Sequence, residues 1–220
     1  MSVLRIVLVG LALITGLYAL ASALAEVTSL DRVAFPSDPA KINSSWTGAV
    51  PRWLEAASPF RSDLEGNHAL IAALQVVQAG KRTAVAGAAA ENARARARIK
   101  QSLSIAPYNP ELWLALALLQ AQNDPRDPTL VEALKMAYFA APNDARLMPV
   151  RLDTATSFDA LADSDLKELV RGDVRLMVTR KPELKAAVAS AYRRASKLGK
   201  TFLEESVQSI DPSFLAILRG

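Results

Sequence analysis

The stretch APYNPELWLALALLQAQNDPRDPTLVEALKMAYFAAPNDARLM, residues 106–148, decides how the rest of the chain is read. Asn109 followed by Pro110 starts a helix: the Asn side chain accepts an otherwise orphaned amide, and proline's missing N–H costs nothing at the first helical position. Asp127-Pro128 starts a second helix in the same way. That helix is Ala-rich and amphipathic, and it ends before Pro142, because the residue preceding a proline is biased away from helical backbone. After Pro142 the residues Asn143-Asp144-Ala145-Arg146-Leu147-Met148 predict the start of a further helix.

The same signals extend in both directions. Upstream, His68 to Ala79 reads as one helix, and Lys81 to Ile105 contains another. Downstream, Pro182 heads a helix expected to run to about Lys197. Its Leu184, Val188, Tyr192 and Ala195 share one face, while Lys185, Arg193, Arg194 and Lys197 fall elsewhere. Asp211-Pro212 opens the last helix. Short polar loops between such helices make sequential helices antiparallel neighbours. No segment alternates long enough to predict a strand, so the expected fold class is all-α.

Composition agrees with that class. Apolar residues make up 51% of the 220, with Ala prominent, and aromatics only 6%; such a chain favours helices over sheets. The absence of cysteine removes disulfides, thiolate nucleophiles and Cys-ligated metal centres. A net charge of +4 spread over many helices falls short of a nucleic-acid-binding signature, so no nucleic-acid partner is expected.

Aligning Ala106-Pro107 with Ala141-Pro142 places the two prolines 35 residues apart, each after an Ala-rich amphipathic helix. Ala95, Ile99 and Ser102 precede the first; Leu130, Leu134 and Ala137 precede the second. This pattern resembles the tetratricopeptide repeat, a helix–turn–helix unit of about 34 residues. Trp113, Leu116 and Ala117 match the first helix of that pattern, and Ser102 and Ala137 match the small residues late in its second helix. Leu130 stands where the family prefers Ala, and Gln120 where it expects Tyr. The resemblance covers residues 66–155. It implies an array of helix pairs whose successive first helices form a concave protein-binding surface. Residues 156–220 lack the period and are expected to be a helical C-terminal segment capping the array.

At the N-terminus, Ile6 to Leu24 (IVLVGLALITGLYALASAL) holds 19 residues without a charge. As a helix it spans roughly 28 Å, close to a bilayer's hydrocarbon thickness. Residues 1–25 are therefore expected to be a transmembrane signal anchor, with residues 6–24 in contact with lipid. Ala23-Leu24-Ala25 is also an A-x-A cleavage pattern, leaving open a secreted or periplasmic form cut after Ala25. The length of the apolar run favours retention. Arg5 before the span, with Glu26 and Asp31 after it, puts the N-terminus in the cytoplasm and the remainder outside. Residues 26–65 read as a juxtamembrane linker with a short helix. Within it, Pro36, Pro39 and Gly48 mark an irregular spacer, and Trp46 and Trp53 flank Pro51 either as interfacial anchors or as caps on the first repeat's core. Asn43-Ser44-Ser45 matches a glycosylation sequon, a triplet common by chance.

Catalytic equipment is sparse. His68 is the single histidine, it lies in a helical stretch, and no G-x-S-x-G accompanies it. There is no phosphate-binding or dinucleotide loop. Asp159, Asp163, Asp165 and Glu168 cluster at a helix start, where capping and the helix dipole explain them. Arg94, Arg96, Arg98 and Lys100 form the most basic run, but on a helix Arg94 and Arg98 face away from Arg96 and Lys100, as solvated residues do.

Catalytic, cofactor-binding and metal-ligating residues are accordingly expected to be absent, and the partner-binding residues are left unassigned. The resulting expectation is a non-enzymatic scaffold on the periplasmic face of a bacterial inner membrane, organising an envelope or export assembly. The alternative is a small accessory subunit held in a membrane complex mainly by its transmembrane helix; deleting residues 1–25 separates the two.

Overall fold

The computed structural model describes residues 3–28, 35–36, 62–82 and 87–220. The expectations for Asn43, Trp46, Pro51 and Trp53 concern residues outside these. The described helices are α1 (Val3–Thr28), α2 (Ser62–Arg82), α3 (Ala88–Ile105), α4 (Pro110–Asn123), α5 (Pro128–Ala140), α6 (Met148–Ser157), α7 (Ser164–Thr179), α8 (Lys185–Arg194), α9 (Lys197–Ile210) and α10 (Pro212–Arg219). Short 3-10 turns stand at Asp159–Ala162 and Pro182–Leu184. The class is all-α, with no strand among the described residues.

The helix starts anticipated from local signals are made by the expected atoms. The Asn109 side chain accepts from the N–H of Glu111 at 3.0 Å and of Leu112 at 3.1 Å. Asp127 accepts from Thr129 at 2.9 Å, and Asp211 from Phe214 at 3.3 Å. Each bond satisfies a donor within three residues, which is why sequence alone locates it.

Two boundaries differ from expectation. The chain after Pro142 does not enter a helix at Asn143. The Asp144 carboxylate instead accepts the Arg146 N–H at 2.9 Å, forming a turn, and α6 begins at Met148. Pro149 explains the delay, since proline is tolerated in a first helical turn and not deep inside a helix. The helix expected from Pro182 to Lys197 is also divided. Ala195 is extended (φ −63°, ψ 147°), and Ser196 caps a new helix by accepting the Gly199 N–H at 3.1 Å. The Ser196 N–H in turn donates to Thr156 O at 2.9 Å, a tertiary bond that a continuous helix would forfeit.

Packing follows chain order at first. α2 lies against α3, α4 against α5, and α4 also against both α2 and α3. α4 is the centre of this half: Leu112, Leu114, Ala115, Ala117 and Leu119 are fully enclosed. Each fully buried leucine contributes about 1.5–3 kcal/mol. Of the positions quoted for the repeat, Leu130, Ala137, Ser102 and Gln120 are buried and Trp113 half-buried, while the aligned Pro107 and Pro142 are exposed. In the second half, α6 packs on α8, and α9 on α7 and α10. The face predicted for residues 184–195 is the inward one, with Val188 buried and Leu184, Tyr192 and Ala195 packed against the core.

α1 differs from every other helix. Of its described side chains, those of residues 5–20 and Ala23, the ones of Ile6, Leu8, Leu13, Ile14 and Leu17 are exposed at 55–71%. Among the described residues no helix is long and apolar enough to cross a membrane; beyond Leu20 the uncharged run of α1 includes residues 21, 22 and 24, whose side chains lie outside the description. Phe35 is 3% exposed and belongs to the main core. Its backbone N–H donates to the Glu111 carboxylate at the first turn of α4.

Candidate functional site

The residues weighed from sequence as chemical candidates are placed structurally. His68 lies on α2, 7% exposed, beside Ala69 and Leu70. Asp163 is the N-cap of α7, accepting the Leu166 N–H at 2.8 Å, and it also takes Lys135 Nζ at 2.9 Å. These bonds hold its carboxyl below the usual carboxylate range, the backbone donor first and the ammonium second. Asp165 receives the same lysine at 3.2 Å, Glu168 pairs with Arg171, and Asp159 lies in the 3-10 turn before α7. The four acids are thus brought near one helix start, where Asp163 caps and pairs and Asp165 and Glu168 pair. Among the described residues no group of His, Asp and Glu is arranged to hold a metal ion.

The basic run divides as its helical spacing implies, but only half of it is solvated. Arg98 Nε pairs with Glu65 of α2 at 3.0 Å, and Arg96 Nη1 donates to Gln120 of α4 at 3.0 Å. Arg94 and Lys100 are exposed. Gln120, at the position where the repeat pattern expects Tyr, passes the connection on by donating to Asp127. Beside it, Asn92 Nδ2 donates to Leu119 O at 2.9 Å, and Gln122 Nε2 to Val77 O at 2.8 Å. α2, α3 and α4 are therefore tied by side-chain amides as well as by apolar contact.

Two hollows border α2 and α3. One, about 420 Å³, is lined by Ala72, Gln75, Val76, Arg94 and Arg98 among others; the other, about 240 Å³, by Ala79, Gly80, Asn92 and Gln122 among others. Neither is lined by the acids at the start of α7. Their walls combine alanine and valine with amides, the Glu91 carboxylate and, in the larger, the guanidinium groups of Arg94 and Arg98.

A cluster not foreseen from the sequence joins the two halves. Arg151 of α6 is completely buried, with Nη2 3.2 Å from Asp173 Oδ1 on α7. Its Nη1 donates to Ala137 O at 3.2 Å and Ala141 O at 2.8 Å, satisfying carbonyls at the end of α5. The guanidinium also lies 4.3 Å from the ring centroid of Tyr138. Burial pushes the Asp173 carboxyl up to about 6, against the opposing pull of Arg151. One signal was present in the sequence: Asp173 falls on the same helical face as Leu166, Val170, Val174 and Met177. A charge on that face has to find a buried partner. Nothing local identified Arg151 as that partner.

Near Phe35, the Glu111 carboxyl is raised by burial, with Arg146 opposing at 3.7 Å. No protein-family description, curated protein or solved structure matches this chain.

Proposed function

We propose that the chain is a membrane-anchored, non-enzymatic scaffold. In this reading α1 spans the bilayer as an uncleaved anchor, and the helical domain binds other proteins on the periplasmic side of a bacterial inner membrane, organising an envelope or export assembly. The observation that carries it is α1. It is apolar on all sides, yet its described side chains stay uncovered by the rest of the chain. A helix of that kind needs either a protein core or lipid around it. The uncharged 19 residues from Ile6 to Leu24 suit lipid. The tetratricopeptide-like reading of residues 66–155 is supported by the enclosed positions of Leu116, Ala117, Ser102 and Ala137 and by the way each helix pair contacts the next. Because α4 is enclosed, a protein partner would meet the α2–α3 side, where the hollows lie.

Alkaline carbonate extraction tests the anchor. The full chain is expected to stay with the membrane pellet, and a variant lacking residues 1–25 to be released. Full-length protein in the supernatant would refute the anchor. The mass of the mature N-terminus decides retention, a species beginning at Glu26 being the contrary result. Co-purification of a defined partner with the released domain supports the scaffold. If every association is lost with residues 1–25, the accessory-subunit reading replaces it.

A further inference from the structure

The anchor and the folded domain are joined by a much shorter tether than the linker 26–65 suggests. α1 ends at Thr28, and the chain is buried again at Phe35, whose N–H is held by Glu111. The seven residues from 28 to 35 reach at most about 25 Å, whereas the 34 from Thr28 to Ser62 could reach about 120 Å. The domain is thus leashed at the first turn of α4.

That end of α4 also carries exposed apolar side chains. Ile105 is 57% and Tyr108 83% exposed, on the turn leading into the Asn109 cap. Tyr108 is three residues from Glu111, at most about 11 Å along the chain. Beside them Trp113 is half-buried, its indole N–H donating to Pro107 O at 2.7 Å. We propose that the α3–α4 turn rests in the lipid headgroup layer, with Ile105 and Tyr108 as its contact residues and Phe35 as the strap that holds it there. This rests on the reading of α1 as a bilayer span. A tyrosine has an apolar ring with a polar tip, and such side chains favour the membrane–water boundary. Two side chains would not retain a free domain at a membrane, but the short tether makes the contact intramolecular and so raises its effective concentration.

The chain contains no cysteine, so single-cysteine variants of the full protein can each carry one bimane label. Leu13→Cys reports α1, Ser104→Cys reports the turn, and Gln208→Cys on α9 is the exposed control. They are reconstituted in phosphatidylethanolamine–phosphatidylglycerol vesicles containing a nitroxide lipid. The nitroxide is placed deep in the acyl chain to read the label at 13, which lies near the bilayer centre, and in the headgroup region to read those at 104 and 208. Labels at 13 and 104 are expected to lose fluorescence relative to 208. Adding Phe35→Ser, or the surface substitution Ile105→Asp, is expected to restore the label at 104 and leave that at 13 quenched. Quenching at 13 with a bright label at 104 overturns the surface contact and leaves the anchor standing. A bright label at 13 overturns both. A label at 104 that is bright yet shielded from aqueous iodide assigns the turn to a protein or a second copy, against the proposal. Quenching at 104 that survives both substitutions also overturns it.

Discussion

Arg151 and Asp173, 22 residues apart in sequence, form an ion pair in which neither side chain is more than 2% exposed. The pair stands where α5, α6 and α7 meet, so it links the helices up to α5 to the C-terminal ones. Burial of two charges is costly, and the pair offsets that cost only while both members and the carbonyls of Ala137 and Ala141 are in place. The link is sensitive to the loss of either partner.

Asp173→Ala should destabilise the protein by about 3–5 kcal/mol, because it removes the carboxyl, charged or neutral, that accepts from the buried Arg151 guanidinium and leaves that group without an acceptor there. Arg151→Met combined with Asp173→Leu should cost much less than the sum of the two single changes. Urea unfolding of the four proteins measures this; additive losses would show that the side chains do not act as a unit.

Acid should act on this pair with an unusual sign. A carboxyl raised to about 6 in the folded state, from 3.8, binds its proton more tightly folded than unfolded. Its contribution therefore favours folding below the lower value and is lost as pH rises through the upper one. Relative to Asp173→Asn, the wild type should gain stability as pH falls from about 7 to about 4. Asp211 behaves oppositely. Its hydrogen bonds from Ser213 and Lys185 lower it to about 2, so its contribution is present above 3.8 and lost as pH falls through 2. Unfolding midpoints across pH separate the two windows, and a wild type that tracks Asp173→Asn throughout would contradict the first.

Two glycines should respond to alanine with opposite signs. At Gly199 an added Cβ would stand 2.2 Å from Thr156 O, a backbone atom that already accepts the Ser196 N–H. Gly199→Ala should destabilise by about 1–3 kcal/mol through forced separation of α9 from α6. Gly172, exposed within α7, has open space around its Cβ position. Gly172→Ala should stabilise by about 0.5–1 kcal/mol by restricting the unfolded chain and favouring the helix. Thermal midpoints give both signs.

Asp163→Ala removes the α7 cap and one of the two carboxylates paired with Lys135. A loss of about 1 kcal/mol is expected from the cap, with Glu168→Ala near neutral because that acid pairs only at the surface. Circular-dichroism melts test this; equal losses at both positions would mean that capping is not what places Asp163 there.

The helix starts at Asn109, Asp127 and Asp211 were legible in the sequence because the cap and the amide it satisfies lie within three residues of each other. The inward face of residues 184–195 was legible for a similar reason, since apolar spacing is a property of one segment. The division of that segment at Ala195 was not, because it depends on Thr156, 40 residues upstream in sequence (196 − 156). The late start of α6 was a different case: Pro149 carried the signal, and local reading from Pro142 alone passed over it.

Sequence by itself determined the helical class, the capped starts and the uncharged run from Ile6 to Leu24, all set by interactions within a turn or by the composition of one segment. Tertiary structure alone decided that α4 is enclosed, that Arg151 meets Asp173, and that Phe35 returns to the core. The reason is physical. Local hydrogen bonds choose where a helix begins, but which faces are buried and which charges are paired depends on chain segments brought together only by packing.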